Sequence, residues 1–362
     1  MNKKKFVEQL KQLVEIRTLS GEVEANKKAL DLVETWLDKK INIERYKNGK
    51  AEVMVASVNK GMSPEICYMV HMDVVAGTDK QFKLKIVGDK LFGRGTCDMK
   101  FSIPLGVELI NEAVAKNLDL CLIITTDEET GGLEGAKYLR EVLNFSPKLL
   151  IVPDGGEDLN FVDKAKGVCQ IRVVAKGKPA HASRPWQGKN ALANIVKLVQ
   201  KLLDDYEQYN LVEGWNTTMN IGVINGGIST NQVCAEAEVK LDFRYSESDS
   251  IENIKNKVEV LTNEIDGEWN ISLMSTGMPT FTEVSEPRVV KYIETMNKAF
   301  GREIMVRPTY GASDARHFAD LKVPVIMHKP IGGEIHSDGE WISLSSVMTF
   351  FQGMCEYLGL TI

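Results

Sequence analysis

Phe6, Leu10, Leu13 and Val14 recur at helical intervals, with Glu8, Gln9, Lys11 and Gln12 between them. This spacing predicts an amphipathic helix near 2–16. Leu30, Val33, Leu37 and Ile41 predict a second helix near 24–39. The texture then alternates. Ile66–Val70, Leu118–Thr125 and Leu149–Val152 read as short buried strands, the first running into His71. Phe101–Lys116 and Glu134–Leu143 read as helices. Continuous apolar strands separated by helices predict a parallel or mixed sheet covered on both faces. Polar residues cluster just after the carboxyl ends of these strands, the edge where open α/β sheets build their sites.

From about Gly167 the pattern changes. Gln170–Ala175 is a strand, Asn190–Leu203 a helix, Met219–Ile224 and Val233–Tyr245 strands, Ser250–Ile265 a helix and Trp269–Met274 a strand. The order β-α-β-β-α-β is the split βαβ unit of a ferredoxin-like layer. Helix and strand alternation resumes with Arg288–Phe300, Val323–Met327 and Leu344–Tyr357. The expected fold class is therefore α/β. A mixed-sheet, three-layer domain, discontinuous over 1–166 and 280–362, is interrupted by a ferredoxin-like α+β domain over 167–279.

The 362 residues are 43% hydrophobic, enough for a sizeable core in each domain. A balance of 44 basic against 50 acidic residues gives a net charge of −6, so no global charge points to nucleic acid or to an anionic membrane. No apolar run approaches the ~18 residues of a membrane span. The basic start Met1-Asn-Lys-Lys-Lys leads into no apolar signal core, and the six cysteines are scattered without a C-x-x-C pair. These features predict a soluble, cytoplasmic protein with reduced, buried thiols.

Five segments carry chemistry: Tyr68-Met-Val-His71-Met-Asp73, Gly93-Arg-Gly-Thr-Cys-Asp98-Met-Lys100, Thr125-Thr-Asp127-Glu128-Glu129-Thr-Gly-Gly132, Ile151-Val-Pro-Asp154-Gly-Gly156 and Gly332-Gly-Glu-Ile-His336-Ser-Asp338. Taken singly, a strand-end histidine or a run of acids is usually solvated surface. Together, two imidazoles and several carboxylates at one sheet edge form an N/O donor set suited to zinc, cobalt or manganese. Residues two apart on a strand share a face, so Asp73 is placed to accept the second ring N–H of His71.

His-x-Asp, then Gly-Arg-Gly-x-x-Asp-x-Lys, then Asp-Glu-Glu, resembles the metallopeptidase family of acetylornithine deacetylase, succinyl-diaminopimelate desuccinylase, glutamate carboxypeptidase, aminoacylase and several bacterial di- and tripeptidases. The resemblance spans nearly the whole chain. It implies a catalytic outer domain with a lid or dimerisation domain inserted, and two divalent metals sharing Asp98. His71 and Asp154 would complete one metal and Glu129 and His336 the other, with zinc, cobalt or manganese as the ions. It further implies Glu128 as general base, a cis Asp98–Met99 peptide, and His181 in Gly177-Lys-Pro-Ala-His181-Ala-Ser183 as an oxyanion donor across a homodimer. Asn231, Arg244 and Arg316 are implied as contacts to a substrate carboxylate. A surface ion pair with Asp242 is an equal reading of Arg244. His317 and His328 match no ligand position and read as structural, and Trp186 as packing.

The resemblance implies an amidohydrolase acting on a small N-acyl amino acid. Position 154 is Asp, whereas deacylases of the family usually carry Glu there. Asp is usual in its dipeptidases and aminopeptidases, so that reading stands beside the first. Ser313-Asp-Ala-Arg316 favours the deacylase branch. A catalytically dead metal-binding interaction protein is the remaining alternative, and the presence of Glu128 speaks against it.

Overall fold

Alternate residues of the central strands face opposite ways, and each set has its own core. In a computed structural model that describes residues 1–360, Tyr68, Val70, Leu122 and Ile124 pack on one side, against helices Lys3–Glu15, Val23–Glu34, Ser102–Lys116, Pro287–Phe300 and Leu344–Leu358. Cys67, Met69, Cys121 and Ile123 face the other way, against Leu139 and Phe145 and against Phe318 of the 3-10 helix Asp314–Leu321. Both faces are covered, so the strands are apolar throughout rather than alternating. Helix Ser102–Lys116 comes very close to the sheet: a Cβ on Gly106 would lie 2.7 Å from Leu122 Cδ1 and 2.9 Å from Tyr68 Cδ1.

The chain forms two compact units, one from residues 1–165 and Thr280 onward, the other from Lys166–Pro279. The sheet of the first runs in the order Asn42–Asn48, Ala51–Ser57, Leu120–Thr125, Ile66–His71, Leu150–Val152, Val325–Met327, Phe161–Ala165 and Thr280–Phe281, with Val306–Thr309 also pairing to Phe161–Ala165. Ile66–His71 is parallel to both Leu120–Thr125 and Leu150–Val152, in a register that sets His71 opposite Thr125. The residues after these three strands therefore emerge on one edge.

The second unit is a four-stranded antiparallel sheet, ordered Thr218–Gly226, Glu236–Tyr245, Gly167–Lys176, Glu268–Gly277. Helices Ala191–Asn210 and Ile251–Asn263 bury Ile195, Leu198, Leu202, Ile254 and Val258 against it. The architecture is thus α/β with a mixed sheet and a smaller β-rich domain of split βαβ order.

Three local expectations need correction. The second helix ends at Glu34, so Leu37 and Ile41 lie beyond it; Thr35 Oγ1 bonds back to Leu32 O and Asn111 Oδ1 accepts the Asp38 N–H, which turns the chain away. The hairpin Asn42–Asn48/Ala51–Ser57 carries no strong alternation in its half-exposed first strand and is absent from the predicted elements, although Asn48-Gly49 marks its turn. Helix Ala191–Asn210 runs seven residues beyond its expected end at Leu203. Among the described residues no helix is long and apolar enough to cross a membrane. All six cysteines are free and buried.

Candidate metal centre

Parallel pairing brings the first ligand candidates together. His71 ends its strand, buried, with Nε2 3.1 Å from Asp98 Oδ1. Asp98 follows the glycine-rich turn, where Gly95 has φ +82 and a Cβ would meet Lys100 Cδ and Val74 Cγ1 at 2.9 Å. A side chain at Gly95 would displace the turn that presents the carboxylate. The Asp98–Met99 peptide is cis. Asp98 faces two ways: its Oδ2 lies 3.2 Å from His336 Nε2, which is also 3.1 Å from Glu129 Oε2.

Ligand-capable atoms of His71, Asp98 and Asp154 all lie within 4.8 Å of one another, as do those of Asp98, Glu129 and His336. Each triad offers one imidazole and two carboxylates, and they share Asp98. That donor set fits hard-to-borderline divalent ions such as zinc, cobalt or manganese. Four carboxylates, those of Asp98, Glu128, Glu129 and Asp154, crowd this edge, and a pair of cations would neutralise them. The two triads together form a candidate dinuclear metal centre.

The electrostatics without cations reflect that crowding. Burial pushes the Glu128 carboxyl well above its ordinary range, and repulsion from Asp314, Asp154 and Asp98 adds to it against the pull of His71. Burial likewise raises Asp154 and Glu129, with Asp98 the main repulsive neighbour of Asp154. Burial opposes ionisation of Asp98, yet hydrogen bonds from His336 and His71 prevail and hold its carboxyl low. Hydrogen bonds to Asp98 and Glu129 push His336 up to about 10. Glu128 also borders a small cavity with Met69, Met99, Val152, His71 and Asp154, so its carboxyl has apolar neighbours on one side.

Asp73 is placed differently from expectation. His71 Nδ1 is 3.0 Å from the Asp73 main-chain oxygen and 3.6 Å from Oδ1, so the carbonyl is the closer acceptor. The Asp73 carboxylate instead accepts the main-chain N–H groups of Glu128 and Glu129, both at 3.1 Å, and the Ser20 hydroxyl at 2.6 Å. The peptide turn carrying Glu128 and Glu129 hangs from Asp73.

Other candidates are dispersed. Arg316 lies on the 3-10 helix Asp314–Leu321, 7% exposed, with its Nε unpartnered. In the second unit His181 is exposed. Its Nδ1 lies 3.2 Å from the Ser183 N and 2.8 Å from the Ser183 hydroxyl. Asn231 accepts the Ala182 N–H through its carbonyl and the Ser229 hydroxyl through Oδ1. Arg244 pairs with Asp242, Nε to Oδ1 at 2.8 Å and Nη2 to Oδ2 at 3.2 Å. Trp186 is 76% exposed, not packed.

His317 Nε2 contacts Gly131 O at 2.9 Å, and burial pushes its ring down to about 4. His328 meets the Tyr292 hydroxyl at 2.9 Å in an aromatic cluster, and burial pushes it down to about 3. Four supporting residues had no assigned role in the sequence. Asp127 Oδ2 accepts the N–H groups of Glu134 and Gly135, Asp314 accepts the Thr125 hydroxyl at 2.8 Å, and Arg94 and Glu340 form a buried ion pair at 2.7 Å. Arg94 and Asp127 lay inside the motifs; nothing near Glu340 singled it out.

The profile of peptidase family M20/M25/M40 matches residues 67–359. The succinyl-diaminopimelate desuccinylase of Nitrosospira multiformis is 28% identical over 334 residues, 84% of this chain and 85% of that protein. Its counterpart from Methylobacillus flagellatus is 26% identical over 331 residues, 84% of this chain and 86% of that protein. Among solved structures, an M20 metallo-carboxypeptidase from Sulfolobus solfataricus superposes with a TM-score of 0.79 at 18% identity, covering 98% of both chains. A tripeptidase from Staphylococcus aureus superposes with a TM-score of 0.77 at 20% identity, covering 99% of this chain and 98% of that one. These structural likenesses establish the fold. With the profile spanning most of the sequence and the paired triads at the sheet edge, the chain belongs to peptidase family M20/M25/M40, the metal-dependent hydrolases of amide and peptide bonds.

Proposed function

We propose that the protein is a zinc-dependent deacylase that hydrolyses the amide bond of a small N-acyl amino acid. The observation that carries this reading is Glu128 standing beside two His/carboxylate triads that share Asp98. His71, Asp98 and Asp154 would hold one ion, and Asp98, Glu129 and His336 the other. Bound there, the ions would supply Lewis-acid stabilisation of charge on the attacked carbonyl and acidify the attacking water.

Glu128 does the proton work. Its carboxylate takes one proton from water as the oxygen bonds to the amide carbon, and it returns that proton to the nitrogen as the C–N bond breaks. The remaining hydroxyl proton of the acid so formed passes to the amine, and the products leave as a carboxylate and an ammonium ion. A general base must be ionised at working pH, and without cations burial, with repulsion from Asp314, Asp154 and Asp98, raises the Glu128 carboxyl. Neutralising Asp98 and Asp154 would lower it toward ionisation.

His181, as a neutral donor or an imidazolium, would meet the developing oxyanion from a partner chain in a homodimer. Arg244, with Asn231, is one candidate clamp for the free carboxylate of the substrate, and Arg316 is a second.

The likeness in sequence to succinyl-diaminopimelate desuccinylases and the Ser313-Asp314-Ala315-Arg316 segment favour the deacylase reading. Asp154 favours a dipeptidase. Apo-protein reloaded with zinc, cobalt or manganese and assayed on N-succinyl amino acids, N-acetyl amino acids and dipeptides separates them. A higher kcat/KM on the acyl substrates supports deacylation, and a higher one on dipeptides the second reading. No turnover on any of them with metal bound contradicts both.

A further inference from the structure

His336 sits in the loop 334–340, between Gly332–Gly333 and Trp341–Ser343, which pair antiparallel. The last residue of that loop, Glu340, is 1% exposed and belongs to no ligand triad. Its Oε1 accepts the main-chain N–H of Cys97 at 2.9 Å and of Asp98 at 3.1 Å. Its Oε2 takes the Arg94 guanidinium at 2.7 Å, and its carbonyl accepts the Gly93 N–H at 3.1 Å. Arg94 in turn reaches Ala76 O at 3.3 Å, and Gln81 Nε2 donates to Ser337 O at 3.0 Å. The loop is pinned just after His336, at Ser337 and at Glu340, and its anchor is the peptide of Asp98.

We propose that the buried Arg94–Glu340 pair is a positioning element of the metal centre: it fixes the Asp98 peptide and the His336 loop in one register, so that both triads close on the shared carboxylate. This rests on the dinuclear reading above. The physical argument turns on what a buried ion pair does. Desolvation offsets most of its attraction, so such a pair adds little net stability compared with a well-packed apolar pair. Its hydrogen bonds, by contrast, are directional. Two of them end on the peptide N–H groups that orient Asp98, and a carboxylate acceptor makes them the stronger, charge-assisted kind. The 246 residues separating Arg94 from Glu340 in sequence are bridged at the point where the two ligand segments meet. Residues that orient metal ligands commonly change affinity by about 10–100-fold when replaced.

The test measures zinc binding by competition with a chromophoric chelator, together with the unfolding temperature of the apo-protein. The variants are Glu340→Gln and the apolar replacement Arg94→Met/Glu340→Leu. Glu340→Gln keeps the shape but turns an amide N–H₂ toward Arg94 or toward the two peptides. The apolar pair keeps the core filled. The expected result is zinc affinity weakened about 10–100-fold in both variants, in addition to a lower apo unfolding temperature where the Cys97 and Asp98 N–H groups lose their acceptor. Parental affinity and stoichiometry in both, with any loss confined to the unfolding temperature, would overturn the proposal. A parental chain that binds fewer than two zinc ions would overturn the dinuclear reading, and the proposal with it.

Discussion

Asp73 holds Glu128 by its peptide, with Oδ1 accepting the Glu128 N–H at 3.1 Å while Oδ2 accepts that of Glu129. The main chain of Glu128 and of the ligand candidate Glu129 is therefore held by one buried carboxylate. An amide in its place offers one acceptor oxygen and turns a donor toward the other N–H. Leaving one such group unsatisfied costs about 1.5–3 kcal/mol. Asp73→Asn should lower apo-protein stability in urea by about that amount and reduce kcat, with two zinc ions still bound. Parental stability and kcat would show that the turn is held by other contacts.

Glu128→Gln would remove the proposed proton acceptor while keeping size and shape. Loss of a general base reduces turnover by about 10²–10⁴-fold. Metal analysis should show unchanged zinc content, because Glu128 lies outside both triads. Near-parental kcat in the metal-loaded variant would assign the proton transfer elsewhere.

The metal-free protein should lose stability as pH rises. Burial, then repulsion from Asp314, pushes Asp127 up to about 7, and burial pushes Asp314 up to about 6, from ordinary values of 3.8. A raised acid keeps its proton in the folded state after the unfolded chain has released it. Its contribution is complete below the unfolded value and lost as pH rises through 6 to 7. His336, raised from 6.5 to about 10, acts in the same direction between those values. His317 and His328, pushed down to about 4 and about 3, favour the opposite slope below pH 6.5. Urea midpoints of apo-protein should therefore fall from pH 6.5 to pH 9, and below pH 7 Asp314→Asn should make the midpoint fall less, or rise more, with pH than in the parental protein. Zinc-loaded protein should show the opposite slope, because its ligands bind metal deprotonated. An apo midpoint that rises over this range contradicts the arrangement of charges.

His181→Ala should lower kcat more than it raises KM, since an oxyanion donor acts in the transition state. Mixed with Glu128→Ala chains, it should regain activity, because a hybrid dimer would contain one intact composite site. Absence of recovery after demonstrated subunit exchange would place His181 outside the reaction.

Legibility in the sequence followed the length scale of each interaction. The strand Ile66–His71 announces itself because five of its six residues are buried, and the polar residues just beyond it mark the sheet edge. Asp98, Glu128 and Glu129 stand in compact motifs, so local spacing exposes them. Glu340 has no such motif. Its significance arises from Cys97, Asp98 and Arg94, more than 240 positions earlier, and a lone acid in a polar loop resembles solvated surface. The Asp73 carboxylate illustrates the same limit. Strand periodicity correctly puts Asp73 near His71, but which atoms pair depends on where Glu128 and Glu129 return, 55 and 56 residues later. The first hairpin was hidden because Asn42–Asn48 is an edge strand carrying Lys, Arg and Asn.

The central claim is that Asp98 serves two metal sites at once, and zinc stoichiometry tests it most directly. Apo-protein titrated with zinc should bind two equivalents, and Asp98→Ala should weaken both, since each triad would lose a carboxylate. One equivalent in the parental chain, or one site of unchanged affinity in Asp98→Ala, would contradict a shared ligand.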